Sequence, residues 1–386
     1  MLGLKPCRSR YRATSRDRIP PLPGRPTIHD VSTQDALSKV IRARAPLRLA
    51  FGGGGTDVPP YSDERGGYVL NSTINLYAYV TIIPNETKTV RLYSFDFEDG
   101  ITYTLGENTS PADDEGNLKL AKGVADYLEA TGELTAGFDL YTHTDCEPGS
   151  GLGASSTIVV ALIGAFDRWL RLGFNRYETA ELAYQIERED LGIAGGKQDQ
   201  YAATFGGFNF MEFSRDGVLV NPLRVLPEWV SELEYSIVLA YTGESRNSTN
   251  IVEDQIKSYE QGRQVNIEAM DRTKALAFDM KYQLLKGDFQ AFGELLHESW
   301  NAKKGMSDKI TNARIERIYE AAYDAGALGG KVSGAGGGGY IFFFTRFDRR
   351  HHVIKALERL QEDPEMQDLT VVHFGFTDKG IQTWIR

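Results

Sequence analysis

At 386 residues, with 41% hydrophobic and 25% charged side chains, the chain is long enough for two globular domains with separate cores. Its formal net charge of −10 argues against a nucleic-acid partner, and its longest uncharged apolar run, residues 157–166, is too short to cross a bilayer. Two cysteines, Cys7 and Cys146, build no disulfide framework and suit a reducing, cytoplasmic compartment, while six scattered histidines lack metal-ligand spacing.

Residues 1–39 carry eight Lys or Arg against three Asp or Glu, with prolines at 20, 21, 23 and 26. Such a segment buries too little apolar surface to offset its ordering entropy, so a basic, disordered tail is expected. Its Arg-rich, acid-poor character also fits a transit peptide. The remainder holds 35 basic and 50 acidic side chains, a net of −15. A phosphorylated substrate would therefore be held by local devices: backbone N–H groups, a metal ion and a few placed cations.

Beyond the tail, residues 40–51 read as a strand broken or bulged at Pro46, leading into the glycine loop 52–57. Tyr68 to Ile83 reads as a long strand, followed by a hairpin (90–95 and 101–105) turning at Asp99-Gly100. A helix over 118–129 and a strand over 138–144 lead to Pro148-Gly149-Ser150-Gly151-Leu152-Gly153-Ala154-Ser155-Ser156-Thr157. Ile158, Leu162, Ala165, Phe166 and Trp169 then fall at helical spacing. Further helices are expected over 178–189, 251–262, 268–286, 289–306, 311–325 and 353–361, with strands over 208–213, 218–221, 235–241, 340–345 and 370–376. A domain boundary is expected between Pro222 and Pro227, giving domains over 40–222 and 223–386.

Several readings of Gly149, Gly151 and Gly153 compete. Glycines leading into a helix N-terminus make a cradle for phosphate, because unpaired N–H groups and the positive dipole end point at the ligand. A dinucleotide fingerprint would need a parallel strand after the helix, and a polar turn with a second helical stretch follows instead. A Walker loop would need a lysine that is missing, and a glycine turn without a ligand stays open. Gly334, Gly336 and Gly339 repeat the dinucleotide spacing, but a strand follows them where that fingerprint needs a helix.

Ala45-Pro46-Leu47-Arg48 with Gly52 to Asp57, then Gly151 to Ser156, then Lys331 to Gly338, resemble in that order the three motifs of the GHMP kinase superfamily. The resemblance covers about residues 40–386. Residues 51–61, 195–201 and 206–213 more narrowly resemble the D-glycero-D-manno-heptose 7-phosphate kinases within it. It implies an α+β fold of two domains, a ribosomal-S5-like N-terminal one and a ferredoxin-like C-terminal one, with ATP and Mg²⁺ between them. By motif, Gly149, Ser150, Gly151, Leu152, Gly153, Ala154, Ser155 and Ser156 would wrap the ATP phosphates. Ser155 and Glu187 would meet Mg²⁺. Glu189 stays open as the alternative, because the spacing to Asp199 is one residue longer than in mevalonate kinases.

Asp199 would meet the acceptor hydroxyl, Arg48 would stand beside it, and Asp57, Gly54, Thr56 and Gly336 would line the sugar. Lys197 and Arg246 are candidates for the substrate's own phosphate, with plain surface charge the other reading of each. Two departures stand out: Pro148 falls one position late, and Ala154 replaces a serine. The implied reaction is ATP-dependent phosphorylation of the anomeric hydroxyl of heptose 7-phosphate, giving the 1,7-bisphosphate for nucleotide-heptose synthesis. A kinase for another sugar such as fucose or galactose, or a catalytically silent sensor, are the alternatives. The partners implied are small molecules, with a homodimer left open.

Overall fold

The computed structural model describes residues 39–107, 118–244 and 249–386. The expected basic tail, all but Lys39, lies outside the described residues, as does Arg246. Twelve described strands form two sheets. The first is built on β1 (Ile41–Gly52) and the 18-residue β2 (Gly67–Pro84), which pair antiparallel, with a register shift between Pro46 and Arg48. The far half of β2 pairs with β5 (Phe138–Thr144) and its near half with β6 (Phe208–Ser214), which turns back as β7 (Gly217–Pro222). Beyond β5 lie β3 (Thr89–Ser94), in parallel with it, and β4 (Asp99–Thr104).

The second sheet runs β11 (Thr370–Val372), β8 (Ile237–Tyr241), β10 (Tyr340–Thr345), β9 (Ala327–Val332), all antiparallel. Taking its strands in chain order, that is the 4-1-3-2 arrangement of a ferredoxin-like unit, with helices inserted after the first strand. The fold is thus α+β in two parts. They are tied by the last strand, β12 (Gln382–Ile385), which leaves the second half to pair with β1.

Several boundaries differ from the sequence reading for local reasons. The first hairpin turns at residues 95–98, where Glu98 takes a left-handed φ of 50°, so Asp99-Gly100 opens β4 instead of making the turn. Tyr235 belongs to a helix, Pro227–Ser236, whose N-terminal proline needs no N–H partner. The expected terminal strand is shorter, and β9 and β12 are short segments without a clear alternating pattern.

Core formation follows the strand period. Along β10, Phe342 and Phe344 face the layer between the sheets, while Ile341 and Phe343 face the helices on the outer side. The inter-sheet layer centres on Phe51 at the end of β1. Its fully buried ring lies 5.6 Å from Phe292, 6.0 Å from Phe342 and 6.3 Å from Phe208, so it touches both halves. A second core, under β1 to β5, takes the apolar faces of the helices Lys119–Ala130 (α2) and Ala154–Leu170 (α3), the short Tyr61–Arg65 being α1. Among the described residues no helix is long and apolar enough to cross a membrane.

Because Phe51 has aromatic neighbours from both sheets, Phe51→Ala should cost about 3–5 kcal/mol, the usual range for an emptied aromatic core site. Urea denaturation checks this; a loss under about 1 kcal/mol would show that the layer between the sheets does not depend on this ring.

Candidate active site

The loop after β5 delivers the chain to α3 through Gly153, which sits in the left-handed region at φ 82° and caps the helix without a side chain. The first-turn N–H groups of α3 therefore face the cleft with no capping side chain, the arrangement that receives phosphate. The second glycine cluster packs against the back of this loop. A Cβ on Gly151 would stand 2.5 Å from the Ser333 carbonyl oxygen, and one on Gly334 2.6 Å from that of Gly151. Close approach of two backbones, one from each half, is what both glycines permit.

Across the loop stands Asp199, in the first turn of the helix Gln198–Phe205 (α5). Arg48 holds it through two parallel hydrogen bonds, Nε to Oδ1 at 2.7 Å and Nη2 to Oδ2 at 3.0 Å. The remaining Arg48 nitrogen donates to the Gly151 carbonyl (2.6 Å) and to Ser333 Oγ (3.1 Å), and the whole side chain is buried. The register shift after Pro46 sits next to Arg48, the kind of irregularity that re-aims a strand residue.

At the mouth of the loop, the exposed Ser155 donates to Glu187 Oε1 at 2.6 Å. Glu187 is fully buried, and Gln200 Nε2 (2.8 Å) and Arg188 (3.4 Å) satisfy the rest of its carboxylate. It lies on a π-helical turn, Gln185–Asp190, that follows the helix Arg176–Tyr184 (α4). A wider turn takes up one extra residue per turn, which accommodates a longer spacing to Asp199. Glu189 is exposed on the same turn. Ser156, next to Ser155, points inward and accepts from Arg188 and Gln200, both at 3.1 Å.

The far wall of the cleft is formed by Asp57, which accepts from the Gly55 N–H (3.0 Å), the Gln198 N–H (3.1 Å) and Gln198 Nε2 (3.2 Å). Burial, then the nearby Asp199 charge, pushes its pKa above the ordinary carboxylate value, while the N–H donors pull the other way. Gln198 Oε1 is buried and has no hydrogen-bond partner among the described residues. Lys303 completes this wall from the end of the helix Phe289–Lys304, donating to the Gly334 carbonyl. These groups surround about 770 Å³ of open space.

The structure gathers Arg48, Asp57, Gly149, Ser150, Gly151, Gly153, Ala154, Ser155 and Asp199 around that cleft. It places others elsewhere. Thr56 is buried, its hydroxyl donating to the Gly53 carbonyl (2.8 Å) and accepting from the Tyr68 N–H (3.1 Å), so it shapes the turn instead of facing sugar. Leu152 belongs to the apolar layer, and Gly336 backs onto Ile310. Lys197 pairs with Asp63 at 3.3 Å and lies over the Tyr184 ring, away from the lining. Gly54 lies next to the lining residues Gln198 and Lys303, from which a Cβ on it would stand 3.6 and 3.7 Å. Gln198, Arg188 and Lys303 were missed from the sequence. The first two adjoin residues already singled out, but Lys303 sits in an ordinary amphipathic helix that carries no motif.

Two family descriptions match this chain, "GHMP kinases N terminal domain" over residues 119–207 and "GHMP kinases C terminal" over residues 280–363. The D-glycero-alpha-D-manno-heptose 7-phosphate kinase of Campylobacter jejuni subsp. jejuni serotype O:2 is 44% identical over 350 residues, covering 90% of this chain and 99% of that one. The chain belongs to the GHMP kinase family. A crystal structure of a D-glycero-D-manno-heptose 1-phosphate kinase from Bacteriodes thetaiotaomicron superposes with a TM-score of 0.73 at 40% identity, over 89% of this chain and 98% of the other. Lactococcus lactis galactokinase complexed with galactose shares the fold at 21% identity, with a TM-score of 0.71 over 90% and 95% of the two chains. GHMP kinases transfer phosphate from ATP, so this chain is an ATP-dependent phosphotransferase.

The contact between the loop and Asp199 gives a steric test in this GHMP kinase. A Cβ on Gly153 would stand 3.1 Å from Asp199 Cγ and would have to occupy a left-handed backbone. Gly153→Ala should lower kcat at least tenfold while costing about 1–2 kcal/mol of stability. Steady-state kinetics beside thermal melting check this, and an undiminished kcat would show that Asp199 has room to retreat.

Proposed function

We propose that this kinase uses ATP and Mg²⁺ to phosphorylate the anomeric hydroxyl of a heptose 7-phosphate. One observation carries the reading: Asp199 stands directly over Gly153, the last glycine of the phosphate loop, so an acceptor bound at Asp199 faces a phosphoryl group held by the loop. The sugar assignment is supported by the likeness to the Campylobacter enzyme over nearly its whole length. Asp57 and the unpartnered Gln198 Oε1 offer acceptors for sugar hydroxyls on the same wall. A buried acceptor without a donor is costly, and a substrate hydroxyl would relieve it.

Asp199 does its work as an oriented carboxylate. Arg48 occupies it from one side with two N–H groups, leaving lone pairs toward the cleft for the acceptor hydroxyl. The hydroxyl proton passes to Asp199, the acceptor oxygen bonds to the γ-phosphorus, and the bond from that phosphorus to the bridging oxygen breaks. ADP leaves with the electron pair. Ser155 and Glu187 suit a magnesium ion, since a hydroxyl and a carboxylate stand 2.6 Å apart beside the loop. Such an ion supplies charge neutralisation at the phosphates.

Two relatives are named for sugars phosphorylated at opposite ends, the Campylobacter protein for the 7-phosphate and the Bacteriodes protein for the 1-phosphate. Incubation with ATP and heptose 7-phosphate, heptose 1-phosphate, free heptose, fucose or galactose separates these readings. ADP release should be fastest with heptose 7-phosphate, and ³¹P NMR should place the new phosphorus on C1. Phosphorus on another carbon, or a preference for an unphosphorylated sugar, overturns the assignment.

Neutralising the oriented carboxylate in Asp199→Asn should reduce kcat by about 10²–10⁴-fold with little change in ATP KM. A raised ATP KM at unchanged kcat would instead put Asp199 in the nucleotide site. The two serines should part company. Ser155→Ala should raise the Mg²⁺ concentration needed for half-maximal rate with melting unchanged, whereas Ser156→Ala should destabilise by about 1–3 kcal/mol, because it strands two buried donors. Equal Mg²⁺ dependence of wild type and Ser155→Ala counts against Ser155 as a ligand.

A further inference from the structure

We propose that Lys303 is a further catalytic residue, whose ammonium meets the oxygens of the transferring phosphoryl group on the side of the cleft facing Asp199. The inference rests on the kinase reading but not on which sugar accepts the phosphate.

The cations lining the cleft are, among the described residues, Arg48, Arg188 and Lys303. Arg48 is occupied by Asp199 on one edge and by the Gly151 carbonyl and Ser333 on the other. Arg188 turns its terminal nitrogens to Glu187, Ser156 and the carbonyl oxygens of Ile193 and Ala194, and its Nε, though without a partner among the described residues, is buried away from the cleft space. Lys303 has a single hydrogen-bond partner among the described residues, the neutral carbonyl of Gly334. An ammonium has three donors, so two remain for a ligand. The side chain is only 2% exposed, yet no carboxylate is in ion-pair contact with it among the described residues. A buried charge with an incomplete set of partners is expensive, and an anion entering the cleft would complete the set.

Its position favours the reacting oxygens over a remote part of the substrate. Gly334, which anchors the ammonium, backs onto Gly151 of the phosphate loop, and Gly54 lies beside the nitrogen, where a Cβ would stand 3.7 Å from it. Asp57 and Asp199 act on Lys303 as neighbouring negative charges and Arg48 as a neighbouring positive one. Lys331 lies behind it, its Nζ 3.4 Å from the Phe51 carbonyl; burial first, then the charges of Lys303 and Arg48, holds Lys331 well below the ordinary lysine range. With Lys331 so disposed, Lys303 is the amine left to face the phosphoryl group. Burial, aided by Arg48 and opposed by Asp57 and Asp199, pushes the Lys303 pKa down to about 8. At neutral pH it is therefore still charged, and it keeps its proton while the hydroxyl proton goes to Asp199. A fixed cation in a sheltered site contributes most where charge spreads over the phosphoryl oxygens during transfer.

Lys303→Met and Lys303→Arg test this, with thermal melting to confirm folding. Lys303→Met should lower kcat at least about hundredfold while changing the KM of ATP and of acceptor less than threefold, and Lys303→Arg should recover at least tenfold of that loss. In wild type kcat should fall as pH rises through about 8, where the ammonium loses its proton, and the arginine variant should lose that limb. Titration calorimetry with ADP, with and without aluminium fluoride, needs no acceptor. Wild type should bind the fluoride complex at least tenfold more tightly than ADP, and Lys303→Met should lose that gain with ADP affinity unchanged. An unchanged kcat, or a retained fluoride gain with only the acceptor KM raised, overturns the proposal; the second result would mean that Lys303 grips the acceptor's own phosphate. Should the methionine variant fail to fold, the pH limb of the arginine variant decides alone, and its persistence near 8 overturns the proposal. Wild type inactive on heptose 7-phosphate but binding the fluoride complex through Lys303 would refute the sugar assignment and leave Lys303 standing.

Discussion

The Arg48–Asp199 pair is the contact on which the rest of the site depends. Through one guanidinium, β1 is joined to the first turn of α5, to the phosphate loop and to the loop after β9, partners that lie 151, 103 and 285 residues away in sequence. A buried guanidinium tolerates desolvation only when its planar fork is satisfied, and here every edge is met. The geometry of the pair therefore sets where the loops from both halves stand. It also makes Asp199 a positioned group, unable to swing toward solvent when the cleft is open.

Around that pair the cleft concentrates charge that the protein as a whole lacks. The chain is acidic overall, yet Arg48, Arg188 and Lys303 converge on a small space with Asp57 and Asp199 among them. A long-range field from such a molecule would repel a sugar phosphate and a nucleotide alike. Capture then falls to short-range devices, which act within a few ångströms and are scarcely screened by salt once water is excluded. Interleaving cations with carboxylates also lowers the cost of burying each, so the site can be dry without being unstable.

The packing explains how two halves present one site. β2 is long enough to pair with β1 along one edge and with both β5 and β6 along the other, and β12 returns from the second half to complete that sheet. Phe51 lies one residue before the glycine loop that carries Asp57, within the aromatic layer between the sheets. The loop is thus rooted in that aromatic layer, and Gly151 and Gly334 let the two glycine clusters touch with nothing between them. Rigid support of this kind is what holding reacting groups in line requires.

Much of this was legible in the residues alone. Apolar periodicity located most helices and strands, β5 and the wholly buried β10 to the residue. The order of three glycine motifs pointed to the family, and with it to Ser155, Glu187, Asp199, Arg48 and Asp57. These signals are local, set by spacing along one chain segment. The turn at 95–98, the π-helical turn under Glu187 and the return of β12 depended on backbone geometry and pairing that short sequence windows do not encode. The same holds for side-chain fate. Thr56 and Lys197 look as chemical in sequence as Asp57, but a carbonyl and an aspartate had already claimed them. Lys303 looks like any lysine at a helix end, and tertiary packing alone buries it opposite Asp199, because burial and charge pairing are properties of neighbours brought together by the fold.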